Sequence, residues 1–162
     1  MQLSKKMTFF FYFSILLFSC SNTTDDLDEP DTGSSKNKAK IVSVSTTGNE
    51  NNYNFNVGIS SPDKGCSQYA NWWEVTTETG DLIYRRILGH SHVNEQPFIR
   101  SGGSVKIKKD QMVIIRLHMN NSGYSTNAYK GSVSQGFKSF KTADDFAKPL
   151  ESQSPQPTGC AF

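Results

Sequence analysis

Apolar and polar residues alternate through the middle of the chain in short runs. These are "AKIVSVSTT" (39–47), "NYNFNVGIS" (52–60), "NWWEVTT" (71–77), "DLIYRRIL" (81–88), "SVKIKK" (104–109), "MVIIRLHMN" (112–120) and "YKGSVSQGF" (129–137). In the second run Tyr53, Phe55, Val57 and Ile59 fall on one side and Asn54, Asn56 and Gly58 on the other. In the sixth, Val113, Ile115, Leu117 and Met119 share a face, with Ile114, Arg116 and His118 opposite. A period of two belongs to strands with one buried face. The fourth run mixes Ile83, Arg85 and Ile87 against Leu82, Tyr84, Arg86 and Leu88, which leaves its register open. Between the runs lie "GNEN", "SPDKGC", "ETGD" and "NNSGYSTN", all turn chemistry; "ETGD" predicts a hairpin. Helical periodicity is sustained nowhere. Only "TADDFAKPL" suggests a turn of helix, capped by Thr142 and stopped by Pro149. The pattern predicts an all-β domain, a single antiparallel β-sandwich of about seven strands over 38–141. A small closed barrel is the competing arrangement.

"NWWEV" orients that sandwich. Neighbouring strand residues point to opposite faces, so Trp72 and Trp73 cannot share a core layer. Trp73 keeps step with Val75 and is assigned inward. Trp72 then points outward beside Glu74, either under a loop or the C-terminal tail, or as an aromatic platform for a sugar or peptide. The strand count and the inward Trp73 resemble immunoglobulin and fibronectin-III domains, which implies that kind of sandwich. The inter-sheet cysteine pair of immunoglobulin domains is missing. The stretches "GCSQYANWWEV", "LIYRRILGHSHVNEQPFIRSGG" and "MVIIRLHMNNSGY" also resemble bacterial secreted or lipoprotein domains, over 65–137, to which no activity attaches.

The N-terminus supplies an address. Lys5 and Lys6 precede an apolar run from Phe9 to Phe18, interrupted only by Ser14. That is about half the ~20 residues needed to cross a bilayer, so it reads as a secretory signal, 1–19. Leu17-Phe18-Ser19-Cys20 resembles the lipobox of bacterial lipoproteins. The resemblance implies cleavage before Cys20 and lipid attachment there, a palmitate-type anchor that two or three chains would make permanent. An ordinary signal peptide is the alternative. The following segment, 20–37, is too polar to bury a core and reads as a tether. Its acids Asp25, Asp26, Asp28, Glu29 and Asp31 resemble the export signal of Bacteroidota surface lipoproteins; a solvated spacer is the other reading. The expected location is therefore the outer membrane, lipid-anchored at the cell surface, or alternatively the periplasmic face.

Charge and cysteine content narrow the partners. The chain has 17 basic and 15 acidic residues, of which Lys5 and Lys6 leave with the signal. From Lys36 to Lys148 there are 15 basic against 9 acidic residues, a net of +6. That excess favours acidic surface partners but lacks the concentrated stripe and module of a nucleic-acid binder. With Cys20 assigned to lipid, Cys66 and Cys160 remain in an oxidising compartment, which points to a disulfide. It would close a loop of some 95 residues, for which chain entropy gives roughly 4–5 kcal/mol. It would also tether 142–162, a short helical turn and a Pro-rich tail. Two free thiols are the alternative.

The stretch "LGHSHVNEQPFIRSGG", 88–103, carries the remaining candidate chemistry. His90-Ser91-His92 on an extended segment would place two imidazoles on one face, about 7 Å apart. With His118 as a third nitrogen, and Glu95 or water as a fourth ligand, they would suit Zn or Cu. Catalysis has less behind it. Ser91 and Ser101 sit in no nucleophile signature, and Glu74 with Glu95 is only a formal carboxylate pair for glycoside hydrolysis. A structural account covers much of the stretch. Pro97 ends an extended segment, Phe98 is a foothold in the core, Gly102-Gly103 allow left-handed backbone, and Arg100 and Glu95 form a surface pair of small worth. The expectation is a non-enzymatic binding or envelope-associated module without cofactor. Its ligand surface would use Trp72, Glu95, Arg100, Arg116 and His118, and its partner would be a glycan, a peptide or an envelope protein. The rival is a periplasmic metal protein using His90, His92 and His118.

Overall fold

The computed structural model describes residues 38–162. The expected signal, Cys20 and the acidic tether lie outside them. Nine strands form two antiparallel sheets: β1 (Lys40–Asn49), β2 (Asn52–Ser60), β3 (Ala70–Thr76), β4 (Leu82–Ile87), β5 (Phe98–Val105), β6 (Val113–Met119), β7 (Gly123–Tyr124), β8 (Asn127–Ser132) and β9 (Gly136–Lys141). One sheet has the order β1-β2-β5. The other runs β4-β3-β6-β8-β9, with β7 paired to β6. The sheets pack face to face as a sandwich.

The alternating runs enter as expected. Tyr53, Phe55, Val57 and Ile59 of β2 meet Trp73 and Val75 of β3 and Val113, Ile115 and Leu117 of β6 in one core, all at 5% exposure or less. Fully burying side chains of this size stabilises by about 1.5–3 kcal/mol each. The "ETGD" turn closes the β3–β4 hairpin, with Thr77 N donating to Asp81 O at 2.9 Å and Gly80 at φ +95°. Glycine takes that positive φ without a Cβ clash.

Three elements depart from the sequence pattern. The fifth strand starts at Phe98 rather than Ser104, so 98–103 is sheet and not loop. Gly102 and Gly103 are there for close approach and not for left-handed backbone. A Cβ on Gly102 would meet Trp73 Cζ2 at 2.9 Å and Tyr84 Oη at 2.7 Å. The run 129–137 is a hairpin, β8 turning into β9, which with β7 raises the strand count from seven to nine. The helical turn is a 3-10 segment at Lys148–Ser152, begun after Ala147 rather than capped by Thr142. Pro149 sits inside its first turn, where no N–H is needed.

Pairing places the loops. Ile59 lies opposite Phe98, Trp72 opposite Ile87, and Ala70 opposite Met119. The sheet-crossing segments 61–69 and 88–97 and the turn after β6 therefore share one end of the sandwich.

Candidate functional site

The outer face of the six-stranded sheet has the alternation of a wet surface, yet it is as dry as the core. Glu74 of β3 lies between Arg85 of β4 and Arg116 of β6, its cross-strand partners. Glu74 is 0% exposed and Arg116 1%. Arg85 donates to Glu74 Oε2 from Nε (2.8 Å) and Nη2 (2.7 Å), and Arg116 Nε donates to Oε1 at 2.7 Å. The C-terminal segment takes the remaining guanidinium donors on its backbone oxygens. Arg85 reaches the carbonyls of Leu150, Gln153 and Pro155, and Arg116 those of Phe146 and Ala147. The Arg116 guanidinium also lies 3.5 Å from the Tyr124 ring centre. Burial, then the Glu74 charge, pushes the Tyr124 hydroxyl up to about 12.

Of the two readings of Trp72 the covered one holds, and the ligand-surface reading of Trp72 and Arg116 is corrected. Trp72 is 2% exposed and is no open platform. His118 stacks on it at 3.6 Å and the Arg85 guanidinium lies 4.5 Å from its centre. Arg116 is likewise a buried ion and not a ligand-facing one. The tail accounts for both: its carbonyls and Leu150 cover the sheet there.

His118 extends the polar layer towards the loop end. Its Nδ1 lies 2.7 Å from Asn71 Oδ1 and its Nε2 3.0 Å from Glu151 Oε1. Burial holds this imidazole below its ordinary value, against the pull of Glu151. Beside it opens a shallow hollow of about 590 Å³, walled by Tyr69, Asn71, Trp72, Glu151 and the Cys66–Cys160 pair. Cys66 and Cys160 form a disulfide, with Cα atoms 5.7 Å apart.

The histidine loop is organised by a residue that the sequence pattern passes over as part of a turn. Buried Asp63 accepts Ser61 Oγ–H (2.7 Å) and Ala70 N–H (3.1 Å) on Oδ1, and His92 N–H (2.8 Å) on Oδ2. His92 turns inward and stacks on Phe98 at 3.9 Å; burial, then Arg100, lowers its pKa. Gln96 accepts Ser61 N–H at 2.9 Å and donates to His92 O at 2.9 Å. Ser91 Oγ accepts Gly65 N–H at 3.1 Å. His90 is exposed and forms a bridge with Ala161 of the tail. Arg100 and Glu95 pair at 2.8 Å on the surface, and the hydrogen bond from Arg100 holds the Glu95 carboxyl below its usual range.

Among the described residues, no group of three histidines, cysteines or carboxylates is disposed to hold a metal ion. The set His90, His92 and His118 does not converge. His92 is spent on Phe98 and the Asp63 turn, His118 on Trp72, Asn71 and Glu151. Glu74 and Glu95 are not a facing pair either, each being committed to different arginines. Asp63, Asn71 and Glu151 carry much of this end of the molecule. Only Asp63, an acid two residues after Ser61 in a turn, left a signal in the sequence.

Over 74 residues the chain is 36% identical to a protein of Halomicrobium mukohataei named "Putative lipoprotein". The match takes in 46% of this chain and spans 36% of that protein's length. No family model matches the chain. No solved structure matches it.

Proposed function

We propose that the chain is an exported lipoprotein, acylated at Cys20 in the outer membrane and displayed at the cell surface, and that its β-sandwich is a non-enzymatic binding module. The disposition of the cysteines carries the reading. One stands at the end of an apolar run in lipobox context, and the other two are joined as in proteins of oxidising compartments. The similarity to a protein named as a lipoprotein supports it.

The non-enzymatic part rests on where the reactive groups go. Glu74 is shared by Arg85 and Arg116 under the tail, whose carbonyls take the remaining guanidinium donors, and the His92 backbone is held by buried Asp63. The binding part rests on the sheet-crossing loop 88–97, a segment fixed on a rigid scaffold by hydrogen bonds to the neighbouring 61–65 segment and by one within the loop, as binding loops commonly are. Val93 within it is 39% exposed and Ile99 just after it 60%, and Glu95 and Arg100 pair on the surface of the same stretch. The fitting partner is a glycan, a peptide or an envelope protein.

Labelled palmitate tests the anchor: it should enter the wild-type chain and not Cys20→Ala, and equal labelling of both would remove the lipoprotein reading. Protease treatment of intact cells should degrade the protein if it faces outward; full protection would move it to the periplasmic face.

A further inference from the structure

A second concavity, at the same end of the sandwich, has a chemistry the histidine loop lacks. It is a groove of about 610 Å³ between the head of β1, the β6–β7 turn and the end of β9. That volume lies within the usual range for small-molecule sites. Lys38, Lys40 and Lys141 line it, exposed, and Asp144 is the sole acid in its wall. The ion pairs formed among the described residues involve none of these three lysines. Like charges gathered around a concavity repel one another and attract an anion.

The wall adds neutral groups. The hydroxyls of Ser122 and Thr126 donate to no partner among the described residues. Asn127 Oδ1 is shielded from water and likewise has no hydrogen-bond partner among the described residues. An oxygen closed to water is closed to a ligand as well, so the neutral groups a ligand meets in the groove are the Ser122 and Thr126 hydroxyls, each able to donate and to accept. Inorganic phosphate offers the lysines a charge but is poor in donors. A hydroxyl beside a phosphate serves both halves of the wall, and ammonium groups suit phosphate as point charges.

We propose that this groove binds a hydroxyl-rich anion, a sugar or glycerol unit carrying phosphate. The assignment gives the binding module a ligand class and rests on that reading; its chemistry does not depend on acylation of Cys20. A phospholipid headgroup and a soluble polyol phosphate present the same groups.

Calorimetry on the full-length chain tests it with sn-glycerol 3-phosphate against inorganic phosphate. The glycerol ester should bind about tenfold more tightly, and the combined variant Lys38→Gln, Lys40→Gln, Lys141→Gln should weaken it about tenfold or more. All three lysines are exposed, so the variant should fold, which an unchanged melting curve checks. Phosphatidylglycerol vesicles compared with phosphatidylcholine vesicles distinguish the sources. A preference for the former that the triple variant loses marks a lipid headgroup; binding of the soluble ester alone marks a free ligand. Equal affinity for both phosphates, no binding of either, or indifference to the triple variant would overturn the proposal. Those outcomes leave palmitate labelling at Cys20 untouched, so the groove and the lipoprotein reading fail separately.

Discussion

Strands β3 and β6 bury both of their faces, by opposite means. On the inner face Trp73, Val75, Ile115 and Leu117 meet another apolar sheet, and the contact is non-directional. On the outer face Trp72, Glu74, Arg116 and His118 are within 5% of full burial, beneath a polar tail. What covers them is a set of peptide oxygens together with the Glu151 carboxylate, Leu150 and the Tyr124 ring. The first face tolerates any filling of the right volume. The second has to satisfy each charge and donor individually, because an unmatched one is costly. Period-two alternation therefore marks two chemistries here and not a dry and a wet side.

The sharpest way to break the comparison is to unbalance the outer face. Glu74→Ala leaves two buried guanidiniums facing each other and should cost about 3–5 kcal/mol in urea denaturation. Leu117→Ala, on the inner face of β6 opposite Trp73, should cost about 2–5 kcal/mol through its cavity. A Glu74 variant with wild-type stability would mean that the tail does not seal this face.

Next in size is the covalent staple. Cys66→Ser with Cys160→Ser should lower stability by about 2–4 kcal/mol. The five carbonyl contacts to Arg85 and Arg116 should still keep the tail in place, which protection of the 146–155 amides from exchange would report.

A smaller effect separates the faces by pH. His118 and His92 are both held below their ordinary value of 6.5. As pH falls through 6.5 the unfolded chain takes up these protons before the folded chain does. Stability should thus fall with pH across that window, down to the lowered folded values, and level off beneath them. His118→Gln should flatten this slope, whereas Leu117→Ala should lower the whole curve without changing its shape. The smallest effect is expected at the exposed Glu95–Arg100 pair: Arg100→Ala should leave the urea midpoint within measurement error.

The sequence discloses what depends on side-chain identity. The faces of β2 and β6, the β3–β4 hairpin, the inward Trp73 and the Cys66–Cys160 bond were all legible in it. Strand β5 was hidden because two glycines and a register shift opposite Tyr53 and Phe55 break its alternation. The long histidine loop looked richer in chemistry than it is, since its last six residues, 98–103, are sheet and His92 serves the core. The burial of Arg116, and the choice between cover and platform at Trp72, were hidden for a different reason. Their cover is made largely of main-chain oxygens, which every residue carries and no composition reveals.

That use of main-chain oxygens bears on how this segment can change over time. Two guanidinium forks read the path of the ribbon between Phe146 and Pro155 and ignore most of what hangs from it. Substitutions along the ribbon that preserve its course should be absorbed quietly, whereas a one-residue deletion would throw every oxygen out of step with its fork.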